Sequence, residues 1–331
     1  MTIRQRAVYD PDHEAFRDSV SRLLATEPTD FFGAASEYGF VGLGAADVED
    51  PRFAAVVLEA TMAAGRPEIA LALAMHDGFA LPLLGGRGVP ALAAVVDPPD
   101  AGVRAAPTGD GWVLEGAAEC VVNGLGADLL LVVARSDDDS ELLLTIDPAA
   151  PGLRRVPADD LLGLDGCDVA ELRFDAVAVP AAARLDSPVD RGRARYQLAL
   201  AVAAVAGART ALATTVAYVR ERKAFGTPIA SFGNTRHVLG ALGARIAAVE
   251  SFVDAGLARA TEIGGAEAAA IKLCATDVLG EAVDTGVQLH GGYGYMWEYP
   301  IARAYAAARF FRLHGGAGEH LDVVLASAVG L

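Results

Sequence analysis

Between residues 91 and 185 the chain carries only short β-rich runs, whereas on either side its apolar residues recur at helical spacing. The runs are Trp112 to Gly116, Glu119 to Val122, Asp128 to Ala134, Glu141 to Ile146 and Ala170 to Val179. Turn-forming stretches such as Thr108-Gly109-Asp110-Gly111 and Ser136 to Asp139 separate them, with no helical pattern between. That spacing predicts a small antiparallel sheet or barrel and disfavours parallel βαβ winding. Upstream, Phe16, Val20 and Leu23-Leu24 start an amphipathic helix, and Phe53 to Ala74 and Leu81 to Leu84 continue the helical texture. Downstream, Tyr196 to Lys223, His237 to Glu262, Glu267 to Gln288 and Ile301 to Leu313 read as four long helices. Their alanines let helices approach closely, as in an antiparallel bundle. The expected class is α+β in three units: a helical domain over 1–88, a β-domain over 89–185 and a four-helix bundle over 186–331.

Composition narrows the function classes. With 53% hydrophobic residues in 331, the chain can bury a large core. Its net charge of −16 lacks the basic face of a nucleic-acid binder. The longest apolar stretch, Leu198 to Val219, holds Arg209 near its centre and is rich in Ala, Thr and Val, which suits a buried helix better than a membrane span. The start of the chain has no apolar signal core, and Cys120, Cys167 and Cys274 are sparse and odd in number, so reduced thiols in a cytoplasm are expected. No two histidines have HxxxH spacing and no CxxC occurs, so no metal site is expected. Nucleophile-elbow, Walker and dinucleotide-fold motifs are missing as well.

Two longer stretches carry information. In Arg220-Glu221-Arg222-Lys223-Ala224-Phe225-Gly226-Thr227-Pro228-Ile229-Ala230-Ser231-Phe232 a helix ends in a cationic cluster and turns sharply. Cations suit a helix C-terminus, but that does not account for the aromatic residue among them. In Gln288-Leu289-His290-Gly291-Gly292-Tyr293-Gly294-Tyr295 bare backbone N–H groups beside a glutamine could approach a nucleotide or diphosphate.

In this order and spacing the two stretches resemble the acyl-CoA dehydrogenase patterns R-x-x-F-G-x-P-I-x-x-F-Q and Q-x-x-G-G-x-G-Y, the latter followed here by Glu298-Tyr299-Pro300 and Arg303. The opening Asp12 to Val20 resembles the family's first helix, and Gly109 to Gly116 with Val122-Asn123-Gly124 resembles a hairpin of its β-domain. The resemblance implies FAD, an acyl thioester substrate, and a dimer or tetramer of bacterial cytoplasmic type. It implies that a base takes the α-proton while flavin N5 accepts the β-hydride, with the carbonyl polarised by hydrogen bonds. The family's base is a glutamate at one of two places, and neither holds a carboxylate here. The C-terminal position, in I-Y-E-G-T, is Gly315; the position near the start of the long helix is Tyr196. A phenol is only ~0.1% ionised at pH 7, so Tyr196 suits a proton donor better than a base. Glu319 matches a glutamate that follows the motif and is no base there.

The resemblance breaks selectively. The family's M-T-E-P-x-A-G-S-D loop, which meets the subunit's own FAD, is replaced by Val95 to Arg104, with no threonine or serine. Retained are the residues that reach into a neighbour's FAD site: Arg222, Phe225, Gln288, Gly291 and Gly292. Two functions are expected from this. The first is a non-catalytic subunit that completes the FAD site of a catalytic acyl-CoA dehydrogenase-like partner. The second is a homo-oligomeric enzyme redirected to cyclisation, dehydration or isomerisation, with Tyr196 as acid. Oligomer contacts are expected on the Ala-rich faces of Leu198 to Val219 and Glu267 to Gln288.

Overall fold

The computed structural model describes residues 6–45, 48, 50–85, 87–88, 90–97, 102–158 and 161–331. Helices come first: α1 (Pro11–Leu24), α2 (Phe31–Glu37), α3 (Arg52–Ala63), α4 (Pro67–Leu73) and α5 (Leu81–Leu84). Asp10 caps α1 by accepting the Asp12 and His13 backbone N–H groups. The apolar run from Phe53 to Ala74 is broken at Gly65, which has φ +72°, and restarts with Pro67 in the first turn of α4. A π-helical turn, Ala74–Ala80, joins α4 to α5.

The β-domain follows as β1 (Ala93–Val96), β2 (Val103–Pro107), β3 (Gly111–Val122), β4 (Leu129–Arg135), β5 (Glu141–Ile146), β6 (Leu153–Pro157), β7 (Val169–Pro180) and β8 (Arg184–Leu185). The sheet runs β6-β7-β3-β2-β4-β5-β8, with β1 on β4. It is mixed rather than purely antiparallel: β1 pairs parallel to β4, and β2 touches β4 in the same sense. The parallel pairing is possible because the chain between β1 and β4 is taken up by the β2–β3 hairpin, which serves as the crossover.

The third unit holds α6 (Val189–Glu221), α7 (Gly233–Leu257), α8 (Gly265–His290), α9 (Pro300–Leu313) and a further short helix, α10 (Gly318–Ala328). α6 is the spine. Its 33 residues span about 50 Å at 1.5 Å per residue. Its central Arg209 is paired with Glu250 of α7 at 3.1 Å, which satisfies the one charge inside its apolar stretch. Two helical segments, Pro67–Leu84 and Val189–Glu221, are long and apolar enough to cross a membrane, and most of each is buried inside the fold. The Ala-rich faces of α6 and α8 pack within this chain, with Ala201, Ala204, Ala208, Ala275 and Ala282 in one core. Much of both faces is therefore taken up inside the chain, while Ala213 and Ala217 of α6 stay exposed; the large apolar side chains left outside sit mainly at helix ends, Phe225, Tyr295 and Leu313 among them.

The π-helical turn positions Asp77, fully enclosed, to accept the Gly44 N–H at 3.1 Å. Burial pushes its carboxyl up to about 7, against backbone hydrogen bonds that pull it down. A raised carboxyl favours the fold below its unfolded value near 4, and that contribution is lost as pH rises through about 7. Asp77→Asn, which keeps an acceptor for Gly44, is thus expected to gain stability relative to the parent between pH 4 and 7. Urea midpoints of the pair across that range check it; a constant difference would contradict the raised value.

Candidate functional site

The two places where the resemblance puts a base lie side by side, and the chain's own side chains fill the space between them. Tyr196, in the second turn of α6, is only 2% exposed. Its ring stacks on Phe79 from the π-helical turn, with centroids 5.0 Å apart and planes 14° apart. The hydroxyl lies 2.6 Å from Nδ1 of His314, in the segment after α9. Nε2 of His314 lies 3.1 Å from the carbonyl oxygen of Cys120 on β3. A carbonyl only accepts, so Nε2 carries the proton and Nδ1 receives the O–H of Tyr196. Burial pushes His314 down to about 4 and the Tyr196 phenol well above its usual range. The pair is therefore neutral at pH 7, and Tyr196 is held as a hydroxyl donor.

Gly315 has φ +71°, and a Cβ there would stand 2.5 Å from Leu200 Cδ1 and 3.5 Å from Tyr196 Cε1. The Gly315 carbonyl accepts from Gln197 Nε2 at 3.1 Å. Lys272 of α8, buried and with no carboxylate partner among the described residues, donates to the carbonyls of Arg312 at 2.9 Å and Gly316 at 2.6 Å. Burial lowers its ammonium to about 8. The 313–316 segment is thus fastened from three directions: α6, α8 and β3. Glu319 stands apart, exposed in the first turn of α10.

On the β-domain side, Pro98 to Ala101 of the replaced loop lie outside the described residues. Asp97, which precedes them, is gripped by Arg193 of α6 through two contacts of 2.7 Å, and Arg193 also reaches Glu141 of β5 at 2.8 Å. The chemistry the resemblance implies needs a flavin ring and a thioester stacked between the β-domain and the base. Two such layers of about 3.5 Å each require roughly 7 Å. No gap of that thickness separates β3 from the 313–316 segment, since His314 touches Cys120 directly. At this contact the described residues leave no room for both layers, so they do not fit an FAD and thioester stacked there.

The other end of the spine is open. Arg222 caps α6 with its backbone N–H on the Tyr218 carbonyl, and its guanidinium lies over the Tyr293 ring at 5.3 Å. It makes no ion pair among the described residues. Tyr218 stacks on His290 at 4.0 Å and donates to the His290 carbonyl at 3.2 Å, which joins the turn after α6 to the turn after α8. Between β9 (Lys223–Ala224) and β10 (Thr227–Pro228), Phe225 is 99% exposed at φ +51°. Gln288, Gly291 and Gly292 are exposed beside it, and a Cβ at either glycine would meet nothing within 4 Å. All five retained residues thus share one surface, with Arg220 and Lys223 adding charge in a chain of net −16. Three cations against the single carboxylate of Glu221, beside glycine backbone that a ligand can approach closely, suit a diphosphate presented from outside.

The separation of the two regions is set by the helix. From Tyr196 to Arg222 is 26 residues along α6, or about 39 Å. One chain cannot bring both to a single flavin. Sequence reasoning placed Tyr196, Gly315 and the five reaching residues, but missed Phe79, His314, Cys120 and Lys272. The signal was available for His314, which stands beside the vacated Gly315 in the motif.

The matches to known proteins agree with this architecture. Residues 193–329 match the model of the acyl-CoA dehydrogenase C-terminal domain. The long-chain specific acyl-CoA dehydrogenase of Sus scrofa is 32% identical over 244 residues, which cover 69% of this chain and 57% of that protein. The chain therefore spans a little over half the length of the curated relatives it matches. A putative acyl-CoA dehydrogenase structure from Mycobacterium smegmatis superposes with a TM-score of 0.88 at 25% identity, covering 97% of this chain and 98% of that one. A probable acyl-CoA dehydrogenase from Mycobacterium abscessus gives 0.86 at 28%, covering 98% and 100%. With the helical–β–helical order, the two motifs and these matches in agreement, the chain belongs to the acyl-CoA dehydrogenase family.

Proposed function

We propose that the chain is the non-catalytic subunit of a heteromeric, FAD-dependent acyl-CoA or acyl-carrier dehydrogenase, and that it completes the FAD site of a catalytic partner of the same family. The observation that carries this reading is the contrast between the two ends of α6. Near Tyr196 the cleft is closed by the Tyr196–His314–Cys120 chain of contacts, while at Arg222 a guanidinium with no ion pair among the described residues stands beside an open glycine backbone. FAD supplies the hydride acceptor, and the partner supplies the base. This chain's residues bind: Arg222 neutralises the diphosphate with a fork that is always charged, the Gln288 side-chain amide donates hydrogen bonds, Gly291 and Gly292 let the cofactor approach the backbone closely, and Phe225 packs against the cofactor's outer end.

The second reading keeps a redirected homo-oligomeric enzyme with Tyr196 as acid. One feature favours it, the 2.6 Å Tyr196–His314 contact, because a histidine that accepts the phenol's proton is a plausible relay. Tyr196→Phe separates the two. If the partner holds the base, turnover of the assembled complex changes less than about twofold, since the group lost lies about 39 Å from the shared flavin end. If Tyr196 is the acid, turnover falls by about 10²–10⁴-fold. A loss of that size at unchanged assembly would overturn the first reading.

A further inference from the structure

A cavity of about 360 Å³ opens between the corner joining α3 to α4, the middle of α6 and the first turns of α9. It is separate from both ends of the spine described above. It exists because the facing stripes of the two helices are small: Gly207 and Ala211 on α6, Ala304 and Ala307 on α9. Met62 and Phe311 also line it. At about 30 Å³ for each water-sized group, it holds roughly a dozen heavy atoms, and it falls in the size range of small-molecule sites, which are mostly apolar with a few placed polar groups.

The polar groups stand among the lining residues and include three charges. Glu68 is paired with Arg66 and so is neutralised locally. Asp165 is exposed on the loop after β6. Arg303 is held in place by donating from one Nη to the carbonyls of Trp297 at 2.9 Å and Glu298 at 3.2 Å. It makes no ion pair among the described residues, and its Nε and second Nη have no hydrogen-bond partner among them. That leaves a fixed guanidinium edge, the geometry that takes a carboxylate through two parallel hydrogen bonds. The carboxylate of Asp165 in the same lining disfavours ligands with more than one negative charge.

We propose that this cavity is a binding site for a small apolar monocarboxylate, its hydrocarbon body between α6 and α9 and its carboxylate on Arg303. The assignment does not rest on the heteromer reading, and either can fail alone.

The purified full chain is titrated with decanoate and with decanol, following the fluorescence of Trp297, which lines the cavity; the chain's other tryptophan, Trp112, is on β3. Decanoate is expected to bind saturably and at least roughly tenfold more tightly than decanol, the margin of a charge-assisted contact. Arg303→Gln is expected to bring decanoate down to the level of decanol. Ala304→Phe, which fills the space, is expected to weaken both by tenfold or more, with circular dichroism confirming that the variant is folded. Should that variant not fold, the Arg303→Gln arm decides alone. Absence of saturable decanoate binding, equal binding of acid and alcohol, or an unchanged preference in Arg303→Gln would overturn the proposal.

Discussion

Arg222→Ala is expected to lower the flavin affinity of the assembled complex by roughly ten- to a hundredfold. The guanidinium makes no ion pair among the described residues and lies on an exposed surface over Tyr293, where it can meet an anion from outside. A charge-assisted contact of this kind is worth about 1.5–3 kcal/mol, and every 1.4 kcal/mol is a factor of ten. If Arg222 instead only favours the C-terminus of α6, the loss is under about 1 kcal/mol of stability with no effect on flavin. The helix cap itself is made by the backbone N–H of Arg222, which alanine keeps, so stability should barely move. Flavin retention on dilution, measured for the parent and the variant complexes, separates the two. Equal retention would remove Arg222 from the cofactor site.

Gly315→Glu restores a carboxylate at the family's C-terminal base position, and it is expected to destabilise the chain without producing activity. Three costs coincide. A non-glycine residue at φ +71° adds strain of about 1–3 kcal/mol. The new Cβ would stand 2.5 Å from Leu200 Cδ1, and forcing extra atoms into a packed core costs about 1–3 kcal/mol more. The carboxylate would then enter the crowded space beside Tyr196. The first two alone come to roughly 2–6 kcal/mol, a large part of a domain's stability. Urea unfolding of the parent, Gly315→Ala and Gly315→Glu should show a graded fall. A stable Gly315→Glu that oxidised acyl thioesters by itself would mean that the cleft opens readily and that the chain needed only a base.

Much of the architecture was legible because its signals are local. The period-2 runs, the turn residues between them and the Ala-rich helices each declare themselves within a dozen residues, and the helical–β–helical order follows. What escaped depends on contacts distant in sequence. The parallel pairing of Ala93–Val96 with β4 is one, since a four-residue apolar strand carries no mark of its direction. The use of the α6 and α8 faces is another: an Ala-rich stripe looks the same whether it meets a second chain or its own neighbour.

In the site, the five reaching residues were readable because they lie in two continuous motifs. The closure of the other end was not, because it is assembled from Phe79, Cys120, Tyr196 and His314, four residues far apart in the chain. An empty base position in a sequence says that a carboxylate is gone; only packing says that the space went with it.

In the proposed role this chain holds half of a flavin site and no whole one. The most direct measurement is the flavin content of the purified chain, alone and then with a catalytic relative, as moles of flavin per mole of protein. The account predicts essentially none for the isolated chain even after incubation with excess FAD, and one flavin for each pair of unlike subunits in the complex. One tightly held flavin per isolated chain would contradict it.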